Sequence, residues 1–373
     1  MKHASQSYRP SMESLEDRLT PAFSFSAVGG DVILTQTSSA GDATVSFDGT
    51  DLILTEAATV NYGNVLAGSL TVNMLSGSGD SLTLTLDGPV IGNLTINLGN
   101  GDRTVTLDGM INEAFGNTRI TGGTGVQTVN LADGLAGFST GGSLYIDLGY
   151  SADVLTATAG LSAGSNITLY RVNTFDDGTS FGSIGGSVTF NDGYENQANT
   201  LTLDSGGFIG NRLTYYGGNG TDSVTLDGVV GGAAYLRMGN GDNSFTLTGA
   251  STIASTFTYY GGSGTDTVDS DDAGNVIGSS ININAGFLGD NVINLDGFTG
   301  ARSVSIYTGM GNDDVTYNMG GFAYLRAILN LGNDTFDFGP SGSLYYLYVD
   351  FGFGMDSFIP GGSAFRVYLR NLP

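Results

Sequence analysis

There is no cysteine in this sequence, which excludes a disulfide framework, a thiolate nucleophile and cysteine-ligated zinc. The single histidine is His3, so neither a Ser-His-Asp triad nor a histidine metal site fits within the body of the chain. Lysine occurs once, at Lys2, and glutamate only at positions 13, 16, 56, 113 and 195. Subtracting those five from 36 acidic residues leaves 31 aspartates. Proline contributes six residues, and no stretch approaches the 18 consecutive apolar residues of a membrane-spanning helix. The opening MKHASQSYRP also lacks the apolar segment of an ordinary signal peptide.

What is abundant is glycine, with 61 residues, and negative charge, with a net −24 from only 13% charged residues. No G-X-Y period accompanies the glycine, so collagen is excluded, and 40% hydrophobic content supports a buried core. Aspartate is a turn-former and a ligand for hard cations. A surface this acidic repels phosphate backbones and anionic lipid, which disfavours nucleic acid and membrane surfaces as partners and favours cations.

A repeat organises the chain. LTINLGNGDRTVTLDGMINEAFGN, RLTYYGGNGTDSVTLDGVVGGA and FTYYGGSGTDTVDSDDAGNVIGSS share one plan: an alternating run, a Gly-rich turn, a second alternating run and an Asp-Gly turn. One column recurs at Asp80, Arg103, Gln127, Asp153, Asp176, Asn199, Asp222, Asn243, Asp266, Asp290, Asp313, Asp334 and Asp356, in steps of 21 to 26 residues. Two places further on stands an apolar residue, except after Asp176, where Gly178 breaks the rule. Alternation with period two marks strands, and coils that cannot bury their inward faces alone must stack. The expected fold is all-β: a right-handed parallel β-helix of about thirteen coils of roughly 23 residues, with two main faces and a shorter third. At the inter-strand spacing of about 4.8 Å, that makes a rod about 60 Å long. The divisions are a leader over 1–22, N-terminal capping hairpins over 23–68, the β-helix over 69–359 and a C-terminal strand over 360–373. The last coil shows no polar cap, so end-to-end self-association is expected there.

Within the leader, Met12, Leu15 and Leu19 fall at helical spacing, and Ser14 with Asp17 forms a capping box. The stretch SLEDRLTPA, 14–22, resembles the short L-E-x-R-x-x-P-A motif of planctomycete secreted and cell-surface proteins, carried here by Leu15, Glu16, Arg18, Pro21 and Ala22. That resemblance implies export and a secreted or cell-surface location, and covers about nine residues.

GGNGTDSVT (217–225) and GGSGTDTVD (261–269) are similar to the calcium-binding nonapeptide of bacterial β-rolls, although here they occur once per coil and not in tandem. The resemblance implies calcium at Asp222 and Asp266, and the unbroken acidic run of Asp266, Asp290, Asp313, Asp334 and Asp356, reinforced by Asp314, extends the candidate ligands. The competing reading is a corner, with glycine supplying positive φ and Asp or Asn capping the turn. Carboxylates about 5 Å apart repel by about 3 kcal/mol at an effective dielectric near 20, so an unbroken acidic run requires a counter-ion or solvent.

Catalysis finds little support. The acid pairs Asp176/Asp177, Asp271/Asp272 and Asp313/Asp314 are neighbours whose side chains diverge in a strand. Arg237 and Arg302 belong to no basic cluster along the sequence. Tyr145, Tyr216, Tyr235, Tyr260, Tyr307 and Tyr348 are expected to face outward as an aromatic ladder for sugar rings or a protein partner, with Tyr215 and Tyr259 facing inward. The function expected is non-enzymatic: a structural or adhesive surface module stiffened by calcium. The alternative is a carbohydrate-active β-helix that binds or cleaves polysaccharide.

Overall fold

Alternating inward Leu, Ile, Val and Phe with outward Thr, Asn, Tyr and Arg builds short strands that can be buried only by stacking, and the chain does stack. The computed structural model describes residues 23–372, apart from 38–41, 49, 57–58, 65–67, 75–78, 87–91, 109–115, 132–137, 158–160, 173, 177–180, 192–197, 271–273 and 322. The expected leader helix and export motif lie outside the described residues.

The fold is an all-β parallel solenoid, as the repeat predicts, with a turn count slightly different from thirteen. Its first sheet has sixteen strands, running from Phe23–Val28 and Asp31–Gln36 through Leu213–Tyr216, Ala234–Arg237 and Phe257–Tyr260 to Ser363–Arg370. Only the first pair is antiparallel, turning through Gly29 and Gly30. A second sheet carries strands such as Ser81–Leu86, Ser244–Leu247 and Thr335–Phe338, all paired in parallel with the coils above and below. A third, shorter face is formed by Phe138–Thr140, Leu161–Ala163, Phe181–Ile184 and the far ends of Thr200–Ile209 and Ser223–Val230. At the N-terminal end, Ala43–Phe47, Leu52–Thr55 and Thr59–Asn61 pair as antiparallel hairpins. Among the described residues no helix is long and apolar enough to cross a membrane.

The interior is a set of stacked columns. Leu94, Thr118, Leu144, Ile167, Val188, Leu213, Ala234 and Phe257 follow one another in register, and beside the small Ala234 the ring of Phe257 stacks on Phe245 at 4.7 Å. Each fully buried aliphatic or aromatic side chain contributes roughly 1.5–3 kcal/mol. Tyr215 and Tyr259 face inward as expected and are fully buried, Tyr215 stacked on Phe190 at 5.0 Å. At the C-terminal end, Val367 and Leu369 continue the inward columns beyond Leu347 and Val349 but are exposed, as are Phe353 and Met355.

Glycines at one corner let successive turns touch. Gly239 has φ +84°, and a Cβ there would lie 1.9 Å from the carbonyl oxygen of Gly218 in the coil before. A Gly239→Ala variant is therefore expected to lose about 3 kcal/mol or more, from left-handed backbone strain plus the clash, measured as a lowered urea midpoint.

Candidate functional site

Two sets of side chains were expected to carry function, and the structure sorts them differently from the sequence. The aspartate column is internal. Asp80, Arg103, Gln127, Asp153, Asn199, Asp222, Asn243, Asp266, Asp313 and Asp334 are all buried, and Asp356 is partly buried. Asp153, Asp222, Asn243, Asp313, Asp334 and Asp356 sit just before second-sheet strands, where a side-chain oxygen of each accepts a main-chain N–H of the preceding coil, whereas Arg103 and Gln127 open their strands and donate from their side chains. The Asn199 N–H donates to Asp222 Oδ1 at 3.1 Å, Asp222 N–H to Asn243 Oδ1 at 3.0 Å, and Asp266 N–H to Asn291 Oδ1 at 3.0 Å. The series continues with Asn291 N–H to Asp313 at 2.9 Å, Asp313 N–H to Asp334 at 2.9 Å, and Asp334 N–H to Asp356 at 2.9 Å. The role is that of an acceptor, which Asn and Asp fill alike. The expected turn cap is present as well, the Gly218 N–H donating to Asp222 Oδ2 at 3.2 Å and the Asn243 amide to the Gly241 carbonyl at 3.0 Å within their own turns; the donor from the neighbouring coil is additional.

Two positions in the sequence alignment of this column are corrected. Thr267 pairs with Val292, so the residue stacked on Asp266 is Asn291; Asp290 is exposed one place earlier and accepts the Asn312 N–H at 2.7 Å. Likewise Thr174 pairs with Val154 and with Thr200, which puts Asp176 opposite Thr156 and three places beyond the column. Phe175 then pairs with Leu155 and Leu201, which removes the exception that Gly178 posed.

The seven calcium candidates are thereby scattered. Asp222 and Asp266 are separated by Asn243; Asp313, Asp334 and Asp356 follow one another inside; Asp290 and Asp314 point outward. Among the described residues, no three acidic or histidine side chains converge closely enough to hold a metal ion. The set does not make the six-to-eight-oxygen cage of a dedicated calcium site. Burial instead raises the carboxyl pKa values: Asp222 and Asp266 to about 6 and Asp334 to about 7, while Asp313 is raised by the same desolvation. Hydrogen bonds from Asn199 to Asp222, and from Asn243 and the Tyr259 hydroxyl to Asp266, oppose part of that rise.

The outer surface of the first sheet holds the second set. Tyr216, Tyr260 and Tyr307 share one outward column, in the register Asp147, Tyr170, Asn191, Tyr216, Arg237, Tyr260, Asn284, Tyr307. Tyr145, Tyr235 and Tyr348 stand in the adjacent outward column two residues earlier, together with Arg119 and Arg326. The tyrosines thus form two interleaved columns and not one ladder. Rings meet across them: Tyr216 to Tyr235 at 5.9 Å and Tyr235 to Tyr260 at 5.7 Å. Where rings do not meet, guanidinium groups bridge, Arg326 lying 5.1 Å from the Tyr307 ring and 5.9 Å from that of Tyr348.

Along the first of these columns runs a row of hollows. One lies among Tyr145, Asp147, Tyr150, Tyr170, Arg171 and Asn191; the next, of about 470 Å³, is bounded by Asn191, Tyr216, Asn219, Arg237 and Asn240. A third takes in Tyr260, Asn282, Asn284 and Tyr307, and a fourth Asn284, Phe287, Tyr307 and Met310. The first and second share Asn191, and the third and fourth share Asn284 and Tyr307. From Leu144–Asp147 to Ala323–Ile328 the row crosses nine strands, about 38 Å at the inter-strand spacing. Its one carboxylate, Asp147, is held by Arg171 at 2.5 Å. Sequence reasoning had missed Tyr150, Tyr170, Asn191 and Asn284. The acid pair Asp313/Asp314 diverges, one side chain buried and the other exposed, while Asp177, Asp271 and Asp272 lie outside the described residues. No family model matches the chain, and neither a curated protein nor a solved structure matches it.

Proposed function

We propose that this protein is a non-enzymatic β-solenoid binding module, secreted or displayed at a cell surface, whose first-sheet groove lies along an extended polysaccharide. The observation that carries this is the row of shallow hollows parallel to the rod axis, walled by tyrosine rings and floored by asparagine amides and arginine. Rings offer apolar faces to sugars, and amides and guanidinium groups offer hydrogen bonds to hydroxyls. The described lining holds no histidine, and its one carboxylate is tied up by an arginine, which supports contact over cleavage. The resemblance of residues 14–22 to a planctomycete export motif supports the location. Calcium enters the proposal only as a stiffener of the Asp313–Asp334–Asp356 stretch, where Oδ2 of Asp334 and of Asp356 is buried and accepts no hydrogen bond. The exposed Phe353, Met355 and Val367 support a further protein contact at the C-terminal coil.

The test is affinity electrophoresis through gels of defined polysaccharides, with reducing and unsaturated ends assayed in parallel. Retardation without product release is expected. Tyr216→Ala, Tyr260→Ala and Tyr307→Ala should each weaken retention by about fivefold, the equivalent of about 1 kcal/mol per lost ring contact, with unfolding temperatures lowered by no more than about 4 °C through the lost ring and guanidinium contacts. Release of new chain ends would instead assign the chain to the carbohydrate-active alternative.

A further inference from the structure

The distribution of arginine decides the chemistry of the ligand. Residues 23–373 contain nine arginines. Arg103 is buried against Asp80, and the other eight all lie within or immediately beside first-sheet strands. Only two carboxylates face outward from the first-sheet strands between Arg119 and Arg370, namely Asp147 and Asp350, and each is ion-paired, with Arg171 at 2.5 Å and Arg370 at 3.7 Å. Counted within or immediately beside these strands, as the arginines are, the acidic residues also include Asp192, so eight positive stand against three negative residues, a net +5 on a chain whose total is −24.

The second sheet has the opposite character. Its outward positions carry Asp227, Asp269, Asp296, Asp314 and Asp337 among threonines. The rod is thick compared with a Debye length of about 8 Å at physiological salt, so a ligand on the first sheet experiences that sheet more than the net charge. Three of the face's arginines, Arg119, Arg212 and Arg326, are stacked over the rings of Tyr145, Tyr235 and Tyr307, at 4.2, 5.2 and 5.1 Å. A guanidinium lying on a ring keeps its in-plane N–H groups, the fork that takes carboxylate or sulfate in two parallel hydrogen bonds. Arg237 stands inside the hollow beside Tyr216.

We propose that the groove's ligand is an anionic polysaccharide, its rings lying against the tyrosines and its carboxylate or sulfate groups taken by the arginines. This rests on the groove being a glycan-binding surface. A second copy of the chain, presenting its acidic second sheet, is the competing occupant. Two rods of net charge −24 repel, and a flat Thr/Asp sheet does not fill hollows, so the observations favour the polymer.

The experiment pairs polymers that differ only in charge, in EDTA at low and high salt: carboxymethyl cellulose against hydroxyethyl cellulose, and dextran sulfate against dextran. Binding at least about tenfold tighter to a charged member, with the advantage shrinking at 0.5 M NaCl, is expected. The two pairs separate carboxylate from sulfate as the preferred group. Arg237→Gln combined with Arg326→Gln should remove most of that advantage, whereas Asp269→Asn on the second sheet should leave it intact. Equal binding of charged and neutral members, still weakened by Tyr216→Ala, would overturn the anionic assignment and keep the groove. Binding indifferent to both tyrosine and arginine variants would overturn the groove as well. Polymer-free association of the rods in sedimentation, abolished by the arginine pair, would give the face to a second copy and also overturn the proposal.

Discussion

Arg103→Met is expected to destabilise the N-terminal coils by about 3–5 kcal/mol. Arg103 occupies a column position otherwise filled by Asp, Asn or Gln, and its own N–H goes to the Val126 carbonyl at 2.9 Å. Its guanidinium contacts Asp80 at 2.7 Å with both side chains buried, and the Gln36 amide donates to the same carboxylate at 2.9 Å. Removing the cation strands a charged carboxylate in the interior, where a lost partner weighs more than the pair's own net contribution. The double variant Arg103→Met with Asp80→Leu should recover most of the loss, because the stranded charge is gone. Solenoid stability is roughly a sum over neighbouring coils, so the loss should appear as early unfolding of the N-terminal end in a urea titration followed by hydrogen exchange. A single variant within 1 kcal/mol of the parent would show that the pair contributes little to the stack.

Asp334→Asn is expected to stabilise the rod at pH 8 and to do nothing at pH 4. The Asp334 carboxyl is raised to about 7 by burial, with Asp313 and Asp356 adding repulsion, against an ordinary value of 3.8 in the unfolded chain. The folded state therefore holds its proton between those values while the unfolded state has lost it. Stability falls as pH rises across that window and levels off above 7. The full shift corresponds to about 4 kcal/mol at 1.36 kcal/mol per unit, and solvent screening reduces the expected gain to about 2 kcal/mol. Asparagine suits the place: the Asn243 and Asn291 amides donate to the carbonyls of Gly241 and Gly289 two residues back, at 3.0 and 3.2 Å, and Gly332 is the counterpart for position 334. Asp222 and Asp266, raised to about 6, should extend the decline over the same range. Thermal unfolding from pH 4 to 8, with chelator and then with millimolar calcium, reads both questions. A calcium-dependent rise that Asp334→Asn abolishes would make the C-terminal stretch of the column a cation ladder; superimposable curves would leave it a hydrogen-bonded one.

The fold was legible because each unit announces itself twice, in the alternation of its strands and in the recurrence of its corner. The corner's meaning was legible only in part: the glycine turn and its Asp or Asn cap could be read, the bond to the neighbouring coil could not. Aligning acids with acids placed Asp290 in the column, whereas strand pairing places Asn291 there, since an acceptor is all the neighbouring N–H requires. The same habit placed Asp176 three residues out of register. Inward and outward tyrosines could be separated by parity, as Tyr215 and Tyr216 show. Their arrangement could not, because Tyr216, Arg237, Tyr260, Asn284 and Tyr307 become one wall only after inter-coil register is fixed. One signal was available in the sequence: apart from Arg103, the arginines after residue 23 fall in or beside the first runs of their units, which gathers residues dispersed in sequence onto one face.

The most direct test of the binding face is hydroxyl-radical footprinting of the whole chain with and without saturating carboxymethyl cellulose. The account predicts protection at Tyr216, Tyr260 and Tyr307, with the buried Tyr215 and Tyr259 unreactive in both states and the exposed Met355 oxidised equally in both. Protection confined to the second sheet, or to Met355 and Phe353 at the C-terminal coil, would contradict it.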